Sequence, residues 1–222
     1  MAYVHVIANQ KGGVGKTTVT VNLAAVTTDV LSGGSRQSPV LVVSTDPQAS
    51  SVWWADRVEG LPFDFTQYDG DPEQLARLRE LDQYQHVFVD TPGSLEDEHI
   101  LAAALAGADD VIVPMPPEPL AFDPTARTIA HVLVPRQLPY RVVINAWDPR
   151  DGEADLDQTR DYIEAQQWPV SKVVVRRYKV HTRAAADGRV VTQYPKNRTS
   201  MEAREDFFRL ALELGYGGKA GR

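Results

Sequence analysis

The sequence predicts an α/β domain built on a mostly parallel central sheet with helices on both faces. Three observations carry that prediction. Tyr3 to Ala8 is a short apolar run of the kind buried in a parallel sheet, a glycine-rich turn reading K-G-G-V-G-K-T-T follows from Lys11 to Thr18, and a long apolar-periodic segment opens at Thr17. Strand, glycine loop and helix in that order are the P-loop NTPase arrangement. Further short apolar runs, several closing on an acid or an amide, then alternate with helical periodicity. No linker-like composition divides the 222 residues, so the whole of 1–222 is expected to form one domain.

The elements follow in order. Thr17 to Leu31, with Val19, Val21, Leu23, Ala24, Val26 and Val30, suits a helix packed on a sheet, and Ser32 to Pro39 is a polar loop. Val40 to Val43 reads as a buried strand running into Ser44-Thr45-Asp46-Pro47-Gln48. Asp46 stands at the carboxyl end of a parallel strand, where open α/β sheets bind ligands; an aspartate before proline also suits a helix N-cap. Ala49 to Arg57 reads as helical and carries Trp53 and Trp54, which cannot share a face; both half-buried, or one exposed for a partner, are the open readings.

Leu61 to Thr66 is expected as a strand, Pro72 to Leu81 as a charged helix, and His86 to Asp90 as a strand ending in a carboxylate before Thr91-Pro92-Gly93. Leu95 to Ala106 reads as a helix and Asp109 to Val113 as a strand. The proline-rich Pro114 to Phe122 is a stiff loop, fitting either a solvent-facing turn or a wall for a base or a second protomer. A helix over Arg127 to Val134, a strand over Tyr140 to Asn145, a helix over Asp155 to Gln166 and a last strand over Val170 to Val175 complete the sheet. A helix through Ala186 is closed by Gly188, Lys196 and Arg198 lie in a loop, and Ser200 to Leu214 forms a final helix packing through Phe207, Leu210, Ala211 and Leu214.

The chemistry of the loop follows from its composition. A triphosphate needs many donors close to its oxygens, and residues without side chains let backbone N–H groups approach that closely. Gly12, Gly13, Val14 and Gly15 supply such a cradle, with Thr17 and Thr18 opening a helix whose positive end favours anions. Lys16 brings a full charge to the β- and γ-phosphates, and the Thr17 hydroxyl is placed to ligate Mg²⁺. Asp90, closing an apolar strand downstream of such a loop, reads as a Walker B acid holding a water on that Mg²⁺.

Against G-x-x-x-x-G-K-[ST], Gln10 stands where the first glycine belongs and a second lysine, Lys11, follows it. This form resembles the deviant Walker A loop of the ParA/MinD family of ATPases, and D-P-Q, the Walker B strand, the proline loop, Asn145 and the basic last third appear in that family's order. The resemblance covers nearly the whole chain and is strongest to the small plasmid-partition type. It implies ATP and Mg²⁺ as cofactors and a homodimer sandwiching ATP, in which Lys11 touches the partner's phosphates. It also implies catalysis by Lys11, Lys16 and Asp46, the last orienting the attacking water, with Pro117 and Asn145 against the nucleotide, Asn145 on the adenine edge. Most relatives carry a further aspartate where this chain has Ser44.

The net charge of −7 is unevenly spread. Val170 to Arg204 holds nine Lys or Arg against Asp187 and Glu202, a net of +7, which leaves −14 for the remainder. Such asymmetry fits a polyanion-facing surface or a solvated face. The candidates for double-stranded DNA are Arg176, Arg177, Lys179 and Arg183, then Lys196 and Arg198. By resemblance the activity is an ATP-dependent partition ATPase that binds DNA non-specifically and segregates plasmid or chromosomal DNA with a ParB-like centromere-binding partner. A positioning ATPase for protein cargo, or a weakly hydrolysing nucleotide-gated scaffold, would share the same loop.

The absence of cysteine removes disulfides, thiolate metal sites and cysteine nucleophiles, and agrees with a reducing cytoplasm. No run of 18 apolar residues is present, the chain enters a strand directly, and Gly215 to Arg222 lacks the bulk of an amphipathic membrane anchor. The expected location is cytoplasmic and nucleoid-associated. Five scattered histidines show no H-E-x-x-H spacing, and Ser94 lacks the G-x-S-x-G frame of a hydrolase.

Overall fold

The computed structural model describes residues 1–33, 37–45, 60–93 and 98–217. Among the described residues seven strands form one sheet in the order β3-β2-β4-β1-β5-β6-β7, and every pairing between them is parallel. They are β1 (Tyr3–Ile7), β2 (Val40–Ser44), β3 (Asp64–Gln67), β4 (His86–Asp90), β5 (Asp110–Met115), β6 (Tyr140–Trp147) and β7 (Val175–Arg176). The described helices are α1 (Lys16–Leu31), α2 (Pro72–Ala76), α3 (Glu98–Ala106), α4 (Phe122–Arg127), α5 (Ala154–Ala165), α6 (Lys179–Ala186) and α7 (Arg198–Leu214).

The strands are apolar on both faces because both are covered. Val4, Val6, Leu41, Val43, Val87, Val89, Val111, Val113, Val142 and Ile144 face one layer, which contains Leu75 of α2, Leu101 and Leu105 of α3, and Leu156 and Ile163 of α5. Ile7, Val40, Val42, Phe88, Ile112 and Val143 face the other, built from α1, Val180 of α6, and Phe207, Leu210 and Ala211 of α7. Successive strand residues alternate between these layers, as a period of two requires. The face expected of α7 is therefore the buried one, with Leu214 packed at its margin, whereas Val30 at the end of α1 is 48% exposed.

Several boundaries differ from the sequence-based expectation. The third strand begins at Asp64 rather than Leu61, since Pro62 has no N–H to give a ladder. The segment from Pro72 breaks at Arg77 into α2 and a 3₁₀ turn, Leu78–Glu80, instead of running to Leu81 as one helix. The helix expected over Arg127 to Val134 starts earlier, at Phe122, and widens into a π-helical stretch, Thr128–Leu133, before a 3₁₀ turn over Val134–Arg136.

The last strand shrinks from Val170–Val175 to Val175–Arg176, with a single bridge between Val142 and Val170. The cause is Glu213, whose carboxylate accepts from the backbone N–H groups of Lys172 and Val173 and from the Ser171 hydroxyl; those donors are no longer available to a ladder. Arg198 is the first residue of α7 rather than part of the loop, because Asn197 caps that helix through the Ser200 N–H. The helix expected over Ala49 to Arg57, with Trp53, Trp54 and the Asp46-Pro47-Gln48 string, lies outside the described residues, as does Ser94.

Candidate nucleotide site

The strand order places the site. From β1 the chain builds β2 and β3 to one side and β5, β6 and β7 to the other, so β1 lies at the reversal point where open α/β sheets leave a crevice at the carboxyl ends of their strands. The glycine loop leaves β1 there. Gly13 and Gly15 have φ of +78° and +87°, conformations that disfavour any side chain, and Gly15 is the N-cap of α1. That helix has no side-chain cap and no acid in its first turn. Its first N–H groups are thus available to an anion rather than taken by a neighbouring side chain.

Lys16 is buried, and its Nζ donates to the carbonyls of Asn9 (3.1 Å) and Lys11 (3.4 Å), which folds the side chain over the loop. The Thr17 hydroxyl donates to Oδ2 of Asp90 at 2.7 Å, and the Thr20 hydroxyl reaches Oδ1 at 3.3 Å. The two predicted metal-site residues, Thr17 and Asp90, are therefore in contact. Among the described residues no three His, Cys, Asp or Glu come together as a metal cage. A hydroxyl beside a single carboxylate fits a Mg²⁺ held chiefly by phosphate oxygens and water, as P-loop sites hold it.

Gly93 follows β4 where two loops meet. Its backbone is not left-handed, but a Cβ there would stand 3.0 Å from Lys16 Nζ and 3.1 Å from Gly12 Cα. Close approach of the loop after β4 to the phosphate loop, rather than conformational freedom, favours the small residue.

A cleft of 360 Å³ opens beside the loop, lined by Gly13, Gly15, Thr18, Pro116, Glu118, Asn145, Ala146 and a wall running from Arg176 to Ala185. Pro117 itself is half-buried between two lining residues. Asn145 is buried, and its Nδ2 donates to the carbonyl of Val14 at 2.7 Å, so this amide steadies the loop with its donor side. Its placement follows from a bulge: the β6–β7 register shifts between Asn145 and Trp147, and Ala146 takes φ +63°.

The sequence reading missed the anchors of the loop. Asn9 Nδ2 donates to Pro114 O and Thr125 Oγ1, both at 2.9 Å, while its Oδ1 accepts from Lys11 N–H. Gln10 N–H donates to Thr128 Oγ1 at 3.1 Å. The segment carrying Lys11, which is half-buried, is thus tied to the end of β5 and to α4. A polar residue closing a buried strand was the available signal for Asn9; Thr125 and Thr128, more than a hundred positions downstream, offered none.

The basic candidates divide. Arg176 is held within the fold: its guanidinium, still partly exposed on the cleft wall, makes a two-pronged contact with buried Asp206, and its own N–H donates to the same carboxylate. Asp206 on the last helix gave no hint of this in the sequence. Arg177, Lys179, Arg183, Lys196 and Arg198 are exposed, although Arg198 also pairs with Glu202. Arg177 and Lys179 flank Tyr178 where the cleft wall enters α6. His181 on that wall has both ring nitrogens buried, and burial pushes its pKa down to about 4. Asp46 lies outside the described residues.

The model of the CobQ/CobB/MinD/ParA nucleotide binding domain matches residues 5–190. Maintenance of carboxysome distribution protein A of Gloeobacter kilaueensis is 39% identical over 96% of this chain and 95% of its own length. The protein of the same name from Halothiobacillus neapolitanus is 31% identical over 86% and 88%. Among solved structures, MinD in the MinC:MinD complex of Aquifex aeolicus superposes with a TM-score of 0.74 at 18% identity, covering 95% of this chain and 96% of that one. A P-loop on β1, a carboxylate on β4 touching its threonine, and a family match over most of the chain lead to one conclusion: the protein belongs to the CobQ/CobB/MinD/ParA nucleotide-binding family and is an ATPase of the ParA/MinD type.

Proposed function

We propose that this protein is an ATP-driven positioning ATPase whose cargo is a protein assembly of the carboxysome kind. The observation that carries the reading is 39% identity over almost the full length to a carboxysome-distribution protein. The plasmid-partition reading made from sequence has weaker support: the chromosome-partitioning ATPase Soj of Thermus thermophilus matches at 31% over only 56% of this chain.

In this reading ATP and Mg²⁺ bind at the loop and a homodimer closes over the nucleotide. Mg²⁺, when bound, offsets charge on the phosphate oxygens during transfer. Lys16 and the N–H groups of Gly12 to Thr18 hold the phosphates, Thr17 and Asp90 orient the metal and its water, and Asn145 fixes the loop beside the base. Lys11, on the anchored Asn9–Lys11 segment, reaches the second protomer, and Asp46 orients the attacking water. DNA of the nucleoid serves as the track, held through phosphates by Arg177, Lys179 and Arg183, with Lys196 and Arg198 adding charge. A partner bound to the cargo stimulates turnover and releases the dimer.

The experiment is binding to random-sequence duplex DNA with ATP, ADP or no nucleotide over a salt series, together with ATPase assays in the presence of the neighbouring gene's product. ATP-dependent binding that weakens steeply with salt, and turnover raised by a protein that associates with a protein assembly, are expected. Each lost phosphate contact should lower the salt slope by about 1. Stimulation only by a DNA-bound centromere protein would return the reading to plasmid partition.

A further inference from the structure

Ser44 closes β2 in register with Asp90 of β4. Both continue the strand positions of Val40, Val42 and Phe88, which face α1. On that side the Asp90 carboxylate already receives Thr17 and Thr20. Ser44 is completely buried, and its Oγ has no hydrogen-bond partner. A buried hydroxyl left without a partner costs roughly 1–3 kcal/mol, and most such groups in folded proteins are satisfied.

The neighbouring residue shows the contrast: Thr45 Oγ1 donates to the Asp90 carbonyl at 2.9 Å. The other unpartnered hydroxyl among the described residues, Thr27 Oγ1, lies in the middle of α1, ten residues beyond Thr17. Ser44 alone of the two stands on the strand adjoining the Walker B carboxylate.

We infer that Ser44 is a further positioning residue of the metal site: with nucleotide and Mg²⁺ bound, its hydroxyl accepts a hydrogen bond from the metal's water, beside Asp90. The assignment rests on the nucleotide reading above and adds a residue whose own chemistry is uncharged. It gives the hydroxyl opposite effects in the two states, unfavourable in the nucleotide-free protein and favourable in the loaded one. A residue that merely packs would act with one sign in both.

The test uses Ser44→Ala and, as a near-isosteric variant, Ser44→Cys in the full chain. Mn²⁺ binding is measured by electron paramagnetic resonance at saturating ADP, ADP affinity is measured in EDTA, and thermal unfolding is followed without nucleotide. The expected result is Mn²⁺ affinity weakened about threefold to tenfold in both variants, the range one neutral hydrogen bond commands. ADP affinity in EDTA should be unchanged, and the melting temperature of nucleotide-free Ser44→Ala should be unchanged or higher. Unaltered Mn²⁺ affinity, or a lower melting temperature without nucleotide, would overturn the assignment. Failure of the unmutated protein to bind ADP at all would overturn the nucleotide reading, and this assignment with it.

Discussion

The two edges of the sheet handle buried polar groups in opposite ways. At the carboxyl edge Gly13 and Gly15 are left-handed, Ala146 takes φ +63°, the first turn of α1 has no side-chain cap, and Ser44 Oγ has no partner. At the amino edge a chain of buried groups closes on the partly exposed Asp110. Tyr216 OH donates to Asp110, Asp110 meets His5 Nδ1 at 3.0 Å, and His5 Nε2 meets His86 Nδ1 at 2.9 Å. Tyr216, Phe88 and both histidines also pack ring against ring. One edge holds donors and strain in place for a ligand, and the other satisfies its groups internally and serves stability. Substitutions at the first should therefore move binding and turnover, and at the second mainly stability.

The strongest way to break that contrast is Lys16→Ala. It should abolish nucleotide turnover while the protein still unfolds cooperatively; an unchanged ATPase rate would remove the loop from the mechanism. Next comes Gly15→Ala, whose Cβ would lie 2.4 Å from Asn145 Nδ2 at a φ no alanine prefers, so the Asn145–Val14 bond must shift. A fall in nucleotide affinity of about tenfold, equivalent to about 1.4 kcal/mol, is expected by titration calorimetry, and full affinity would show that the amide does not hold the loop.

At the opposite edge Tyr216→Phe removes only the bond to Asp110. It should cost about 1 kcal/mol in denaturant unfolding and leave ATPase activity intact; altered turnover would mean the two edges are coupled.

Acid sharpens the same comparison. Burial holds His86 neutral down to about pH 4, helped by the neighbouring His5, and burial does the same for His181. Unfolded histidines take up a proton near pH 6.5. The unfolded chain therefore binds more protons over this interval, and stability present above pH 6.5 is lost progressively as pH falls towards 4. Replacing His86 by Gln should flatten that loss in a pH series of melting curves. The smallest effect belongs to Ala146→Gly, which relieves a left-handed alanine at the bulge but loosens the unfolded chain. A change within about 1 kcal/mol is expected, and a larger loss would mean that the Ala146 methyl packs rather than strains.

Legibility from sequence followed the range of the interactions. Lys16, Thr17 and the glycines were readable because four kinds of phosphate chemistry converge on one short stretch. Asp90 was readable because it closes an apolar strand at a fixed place after the loop. The halt of β7, by contrast, depends on Glu213 some forty positions away, and the pairing of Arg176 depends on Asp206. Neither partner announces itself, since an acid on a polar helix looks the same whether it is solvated or paired across the fold. The plasmid and protein cargoes could not be separated at that stage, as both use the same loop.

What the chain by itself determined is therefore local and periodic: the P-loop, the apolar runs that build a parallel sheet, the amphipathic face of α7 and the charge asymmetry of the last third. Tertiary structure alone decided which hydroxyls and carboxylates meet. It tied Asn9 to Thr125, set Thr17 against Asp90 and left Ser44 beside that carboxylate without a partner. Periodicity is a property of neighbouring residues, whereas satisfaction of a buried polar group depends on which distant segment the sheet order places beside it.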